Sequence, residues 1–110
     1  MALDGTLAAL ADPTRRRVVD LLCERPRRAG ELARAFAMSP PAMSRHLRVL
    51  RTHGLVEEAR AERDGRVRLY RLRRQPFDEL QGWLAQVEAF WTAQLDAFKA
   101  HAERPRRRVR

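Results

Sequence analysis

Arg45, Arg48 and Arg51 recur at every third position of the run SPPAMSRHLRVLRTHGLV, residues 39–56. Ala42 and Ser44 stand on the same face, His46 lies on its flank, and no acid interrupts it. Such a set can recognise a polyanion. Guanidinium groups fork onto phosphate oxygens or the acceptor edge of guanine, and a hydroxyl or imidazole adds a single hydrogen bond. His53, just before Gly54, is placed to cap helix-end carbonyls.

Other chemistries find little support. No nucleophile–base arrangement, no paired carboxylates in a candidate cleft and no phosphate loop stands in the chain, so an enzyme is not expected. A single cysteine, Cys23, excludes an internal disulfide and a multi-cysteine zinc site. Arg25, Arg27 and Arg28 could lower the pKa of its thiol in a redox sensor, but a small, partly buried thiol is the expectation. No cofactor is implied. Trp83 and Trp91 sit in an apolar helical stripe, which points to an interface rather than a ligand pocket.

The formal net charge of +9 is segregated along the 110 residues. Residues 12–75 hold 17 arginines against 8 acids, residues 76–103 one lysine against 5 acids, and residues 104–110 five arginines. Arginine outnumbers lysine 22 to 1, which looks like the codon bias of a GC-rich genome. Codon bias does not explain an acidic segment beside a basic one, and a phosphate-binding surface does. No apolar run is long enough to span a bilayer and no signal-peptide core is present. A cytoplasmic location away from membranes is therefore expected.

The basic run needs elements to position it. Leu3, Leu7 and Leu10 mark a short first helix. Asp12-Pro13, an N-cap followed by proline, opens a second helix to about Glu24, with Val18, Val19, Leu21 and Leu22 apolar. RPRR at 25–28 is a break, and AGELARAFAM at 29–38 predicts a third helix with Leu32, Ala35 and Phe36 inward. Ser39 is an N-cap, Pro40 and Pro41 fit a first turn, and Gly54 suits the residue after a helix end. A fourth helix thus covers 39–53, with Met43, Leu47 and Leu50 as its buried stripe. Two helices so tightly joined, the second basic, form a helix-turn-helix. Asp64-Gly65 between strand-like runs predicts a hairpin over 55–72, with Tyr70 and Leu72 turned toward the helices and Arg63, Arg66 and Arg68 near its tip: a wing. A last helix runs from about Pro76 to Ala102. Phe77, Leu80, Leu84, Val87, Trp91, Leu95 and Phe98 form its stripe, widened by Trp83 and Phe90. A second copy is the expected cover for so much apolar surface, with packing on the first helix as the alternative. The expected fold is mainly α with a small β-hairpin, about five helices and a two-stranded wing. One domain spans 1–103, followed by a solvated basic tail at 104–110.

The segments LADPTRRRVVDLL, AGELARAFAMSPPAMSRHLRVLRTHGLVEEAR and DGRVRLYRL resemble the ArsR-type winged-helix transcriptional regulators, in order, over roughly residues 3–100. The resemblance implies a homodimeric repressor of an inverted-repeat operator on double-stranded DNA. In it the fourth helix enters the major groove, and Ser39, Pro41, Ala42, Ser44, Arg45 and His46 face DNA. Arg48 lies on the same face, and the wing, with Arg66 and Arg68, reaches phosphates or the minor groove. The first and last helices form the dimer interface, through Leu3, Leu7, Leu84, Val87, Trp91, Leu95 and Phe98. Pro40 stands where many members have glutamine, which removes an amide side chain and a backbone donor. Metal-sensing members carry a Cys-x-Cys pair where this chain has Ala33 and Ala35, and Asp78, His101 and Glu103 do not match the spacing of last-helix metal sites. The sequence therefore resembles the branch without metal sites, and the identity of any small-molecule effector stays open. A non-specific nucleic-acid-packaging protein and a MarR-type regulator are the alternatives, although packaging needs no ordered Ser-Arg-His face and MarR-type chains are usually longer.

Overall fold

A computed structural model describes residues 2–61 and 64–103, without the side chains of residue 2 and of residues 61 and 64–67. The helices α1 (Ala2–Leu10), α2 (Pro13–Glu24), α3 (Ala29–Ala35) and α4 (Pro40–Thr52) are followed by the strands β1 (Val56–Ala61) and β2 (Asp64–Leu72) and by α5 (Arg74–Glu103). Two compact units divide the chain: residues 1–80, which contain α1–α4, the hairpin and the first turns of α5, and residues 81–110.

Local signals in the sequence explain the helix starts. The Asp12 carboxylate accepts from the backbone N–H groups of Thr14 (2.8 Å) and Arg15 (3.1 Å), and Pro13 follows where its missing donor costs nothing. Those bonds hold the Asp12 carboxyl below its ordinary pKa. The Ser39 hydroxyl accepts from the Ala42 N–H at 3.3 Å, again ahead of prolines in the first turn.

The helix ends divide into one that the sequence announces and one that it does not. Gly54 adopts φ 77° and closes α4, with its N–H on the Arg51 carbonyl and the Leu55 N–H on the Leu50 carbonyl. The same pair of bonds closes α3, from Ala37 to Arg34 and from Met38 to Ala33, but the left-handed residue is Ala37, with φ 51°. The third helix therefore stops at Ala35 rather than Met38. Ala33, not Ala35, is buried beside Leu32, because the inward face of α3 centres on Leu32, Ala33 and Phe36. A left-handed alanine is strained by its Cβ, and glycine is not. Ala37→Gly should raise stability by roughly 0.5–1 kcal/mol in urea unfolding, after allowance for the greater freedom of glycine in the unfolded chain.

The core of the first unit joins Ala9, Val18, Val19, Leu22, Leu32, Ala33, Met43, Leu47, Leu50, Leu55 and Val56. Tyr70, Leu72 and Phe77 pack against it, so the wing and the start of α5 close over the helices. Among the described residues β1 and β2 form a two-stranded antiparallel sheet with Val56 opposite Leu72 and Glu58 opposite Tyr70, and an irregularity between Arg60 and Ala61. Asp64 pairs with Ala61, so Asp64-Gly65 belongs to the second strand and not to the connection that the dipeptide predicted. Arg63 lies outside the described residues, and so does the tail at 104–110.

The RPRR break is more than a break. The Arg27 N–H donates to the Tyr70 carbonyl at 3.1 Å and the Tyr70 N–H returns to the Arg27 carbonyl at 2.8 Å, a single bridge that ties the loop to the wing. The Arg27 side chain is only 12% exposed, held by the Leu21 carbonyl, Glu24 and Glu31. Gly5 is required by close approach, because a Cβ there would lie 2.5 Å from Nδ1 of His53. The His53 ring thus rests against α1 at the end of α4.

Candidate nucleic-acid interface

The α3–α4 turn and the buried stripe of Met43, Leu47 and Leu50 set the rotation of α4. Its outward side presents Ser39, Pro41, Ser44, Arg45 and Arg48, all exposed, with Ala42 and His46 half-buried at the edge. Arg45 and Arg48 make no hydrogen bond or ion pair among the described residues. They are therefore free to meet an anion. His46 is less free: its Nδ1 lies 3.5 Å from a guanidinium nitrogen of Arg15, on the side of α4 that faces the α1–α2 corner.

Several arginines counted in the basic footprint serve the fold instead. Arg15 donates to the carbonyls of Ala9 (2.6 Å) and Ala8 (3.3 Å), and Arg16 to those of Leu10 (2.7 Å) and Ala11 (3.1 Å). These carbonyls lie at or just past the end of α1, where a cation is favoured. The Arg17 guanidinium lies over the Phe36 ring at 4.7 Å. A sequence shows the charges of TRRR but not the carbonyls that take them up.

On the wing, Arg68 is exposed on β2. The side chain of Arg66 lies outside the described residues. Between α4 and the wing runs a polar groove of about 510 Å³ lined by Ser44, Leu47, Arg48, Arg51, Thr52 and Tyr70. Glu58 of β1 stands between the same elements. Its carboxylate accepts from Arg51 at 2.9 Å and from the Tyr70 hydroxyl at 2.9 Å, and lies 3.8 Å from Arg68. Burial and the neighbouring carboxylate both raise the Tyr70 pKa, so at neutral pH the phenol is a donor. Sequence reasoning missed Glu58, although the cross-strand pairing of 58 with 70 follows once the hairpin register is known.

The remaining candidates fall elsewhere. Leu3 is half-buried and Leu7 is exposed on α1. Along α5, Leu84, Trp91, Leu95 and Phe98 are exposed, Phe98 to 70%, while Val87 is half-buried. Cys23 is exposed rather than partly buried, because Val19 and Leu22 take the inward side of α2. No group of three or more metal-ligating side chains occurs among the described residues.

A helix-turn-helix followed by a two-stranded wing, with exposed arginines on the second helix, defines a winged-helix DNA-binding protein. The family described as bacterial regulatory protein, arsR family, matches over residues 12–58. The HTH-type transcriptional regulator Rv2034 of Mycobacterium tuberculosis is 39% identical over 95 residues, spanning 86% of this chain and 83% of that protein. The transcriptional repressor SdpR of Bacillus subtilis is 34% identical over 58 residues, 53% of this chain and 64% of its own. An ArsR-like transcriptional regulator from Rhodococcus sp. RHA1 superposes with a TM-score of 0.77 at 31% identity, covering 94% of this chain and 95% of its own. The chain belongs to the ArsR family, a family of DNA-binding transcriptional regulators rather than of enzymes. No helix among the described residues is long and apolar enough to cross a membrane.

Proposed function

We propose that two copies of the chain pair through α5 and α1 and act in the cytoplasm as a repressor, placing α4 of each copy in successive major grooves of an inverted-repeat operator. The observation that carries the reading is the two-sidedness of α4. One side is sealed by Met43, Leu47 and Leu50, and the other offers Arg45 and Arg48 with no hydrogen-bond or ion-pair partner among the described residues. Ser44 and Arg45 read base edges, Ser39, Pro41 and Ala42 bring the helix start against the backbone, and Arg48 and the wing arginines hold phosphates. His46, already beside Arg15, makes its contact from the flank of α4. Two helices related by a two-fold axis lie about 34 Å apart, one turn of DNA. Repression is supported by the name of the Bacillus relative, a transcriptional repressor.

Selection from random duplexes tests the whole reading. The expected product is an inverted repeat with half-sites one turn apart, bound at least about 10³-fold more tightly than random DNA at fixed salt. Enrichment of no sequence, with tight binding to all duplexes, would assign the chain to DNA packaging. The wing has its own test. Arg66→Ala and Arg68→Ala should each lower affinity evenly across sequences and reduce the salt slope by about one. An unchanged slope for both would take the wing off the phosphates.

A further inference from the structure

Glu58 is an acid in the wrong place for a DNA-binding surface. It sits on β1 beside the groove between α4 and the wing, next to Arg51 and Arg68. A carboxylate there repels the phosphates that the surface must approach. Its ion pairs add little stability, since Arg51 and Arg68 are 58% and 63% exposed. Its geometry is nevertheless specific. One carboxylate oxygen receives both Arg51, from the last turn of α4, and the hydroxyl of Tyr70, from β2, and the other faces Arg68. The carboxylate thus gathers a cation from the helix, which lines the groove, and a cation from the wing. The half-buried Tyr70 fixes the carboxylate itself.

We propose that Glu58 is a positioning residue that sets the specificity of DNA binding, and this rests on the DNA-facing assignment above. It holds Arg51 and Arg68 where the sugar–phosphate backbone enters the groove between helix and wing, and its charge weakens the hold of both arginines on DNA that is not in register. On the operator, α4 seated in the major groove brings a phosphate to the pre-set arginines, and the phosphate shares or displaces the carboxylate. On random DNA that approach is incomplete, and the carboxylate keeps its partners. The device lowers binding everywhere and lowers it most where the bases are wrong, which is how a repulsive element creates specificity.

The test compares the full-length protein with Glu58→Gln, which keeps the shape and removes the charge. Binding to the selected operator and to a random duplex of equal length is measured across a salt series. For Glu58→Gln, random-duplex affinity is expected to rise about tenfold at 0.1 M salt, with a salt slope steeper by about one. Operator affinity should change less than about threefold, so the ratio between the two falls. Tyr70→Phe keeps the charge and frees the carboxylate. It should weaken operator binding about threefold with an unchanged slope, and it serves as the deciding variant if thermal melting shows that Glu58→Gln does not fold. Equal loss on both duplexes with an unchanged slope in Glu58→Gln would reduce Glu58 to a structural residue and overturn the proposal, as would no change in either variant. A wild-type protein that selects no operator fails the functional reading itself, a result separate from any behaviour of Glu58.

Discussion

Trp91→Glu is expected to convert the protein to a monomer that has lost most of its operator affinity. Trp91 is 58% exposed in the single chain, flanked along α5 by Leu84, Leu95 and Phe98, which are at least half exposed. Exposed apolar side chains at spacings of three and four along one helix form a continuous surface that water solvates poorly. Pairing with a second copy would remove it from water, and in a two-fold arrangement each Trp91 would meet the same surface of its partner. A glutamate at that seam leaves an unpaired charge in an apolar interface, a cost of roughly 3–5 kcal/mol at each occurrence. The formal charge of −4 over residues 76–103 suits this element to a position away from phosphate. Sedimentation and operator binding on one sample decide the matter. A folded monomer that binds the full inverted repeat at wild-type affinity would exclude the dimer, and a glutamate variant that stays dimeric would move the interface off Trp91.

The second large effect is expected at the centre of α4. Arg45→Ala should weaken operator binding by about 1–3 kcal/mol, the value of a bidentate arginine on a guanine edge, and relax the sequence preference at one base pair of each half-site. Arg45 is the natural choice because it is exposed, lies two turns from the N-cap and has no partner within the described residues. Two copies act in one complex, so the loss is counted per half-site. Binding to operators carrying each base at each position gives the comparison. Equal weakening on operator and random duplexes would make Arg45 a phosphate contact and leave base reading to its neighbours on the same face.

Much of this protein is written locally. Asp12-Pro13 and Ser39-Pro40 start helices because a side-chain oxygen and the backbone donors it satisfies lie within three residues of each other. Gly54 ends α4 for an equally local reason, as does the stripe of Met43, Leu47 and Leu50 that turns Arg45 and Arg48 outward. The acid-free face of the basic helix and the exposed stripe of α5 were legible because helical periodicity alone brings those residues together.

What the sequence could not determine is which charges are available. Arg15 and Arg16 look like part of the same cationic footprint as Arg45 and Arg48. They differ only because the backbone carbonyls at the end of α1 fold back onto them, and a carbonyl has no letter in a sequence. Glu58 looked like one acid in an ordinary strand until the hairpin register set it opposite Tyr70 and the packing of β1 on α4 brought Arg51 to the same oxygen. Ala37 in a left-handed turn and Arg27 bridged to the wing belong to the same class. Elements form from neighbours in the chain, and so the sequence alone determined a winged helix with a basic second helix. Contacts between residues 5 to 43 positions apart are fixed only when those elements pack, and so the tertiary structure decided which cations are held by the fold and which stay exposed with no such bond among the described residues.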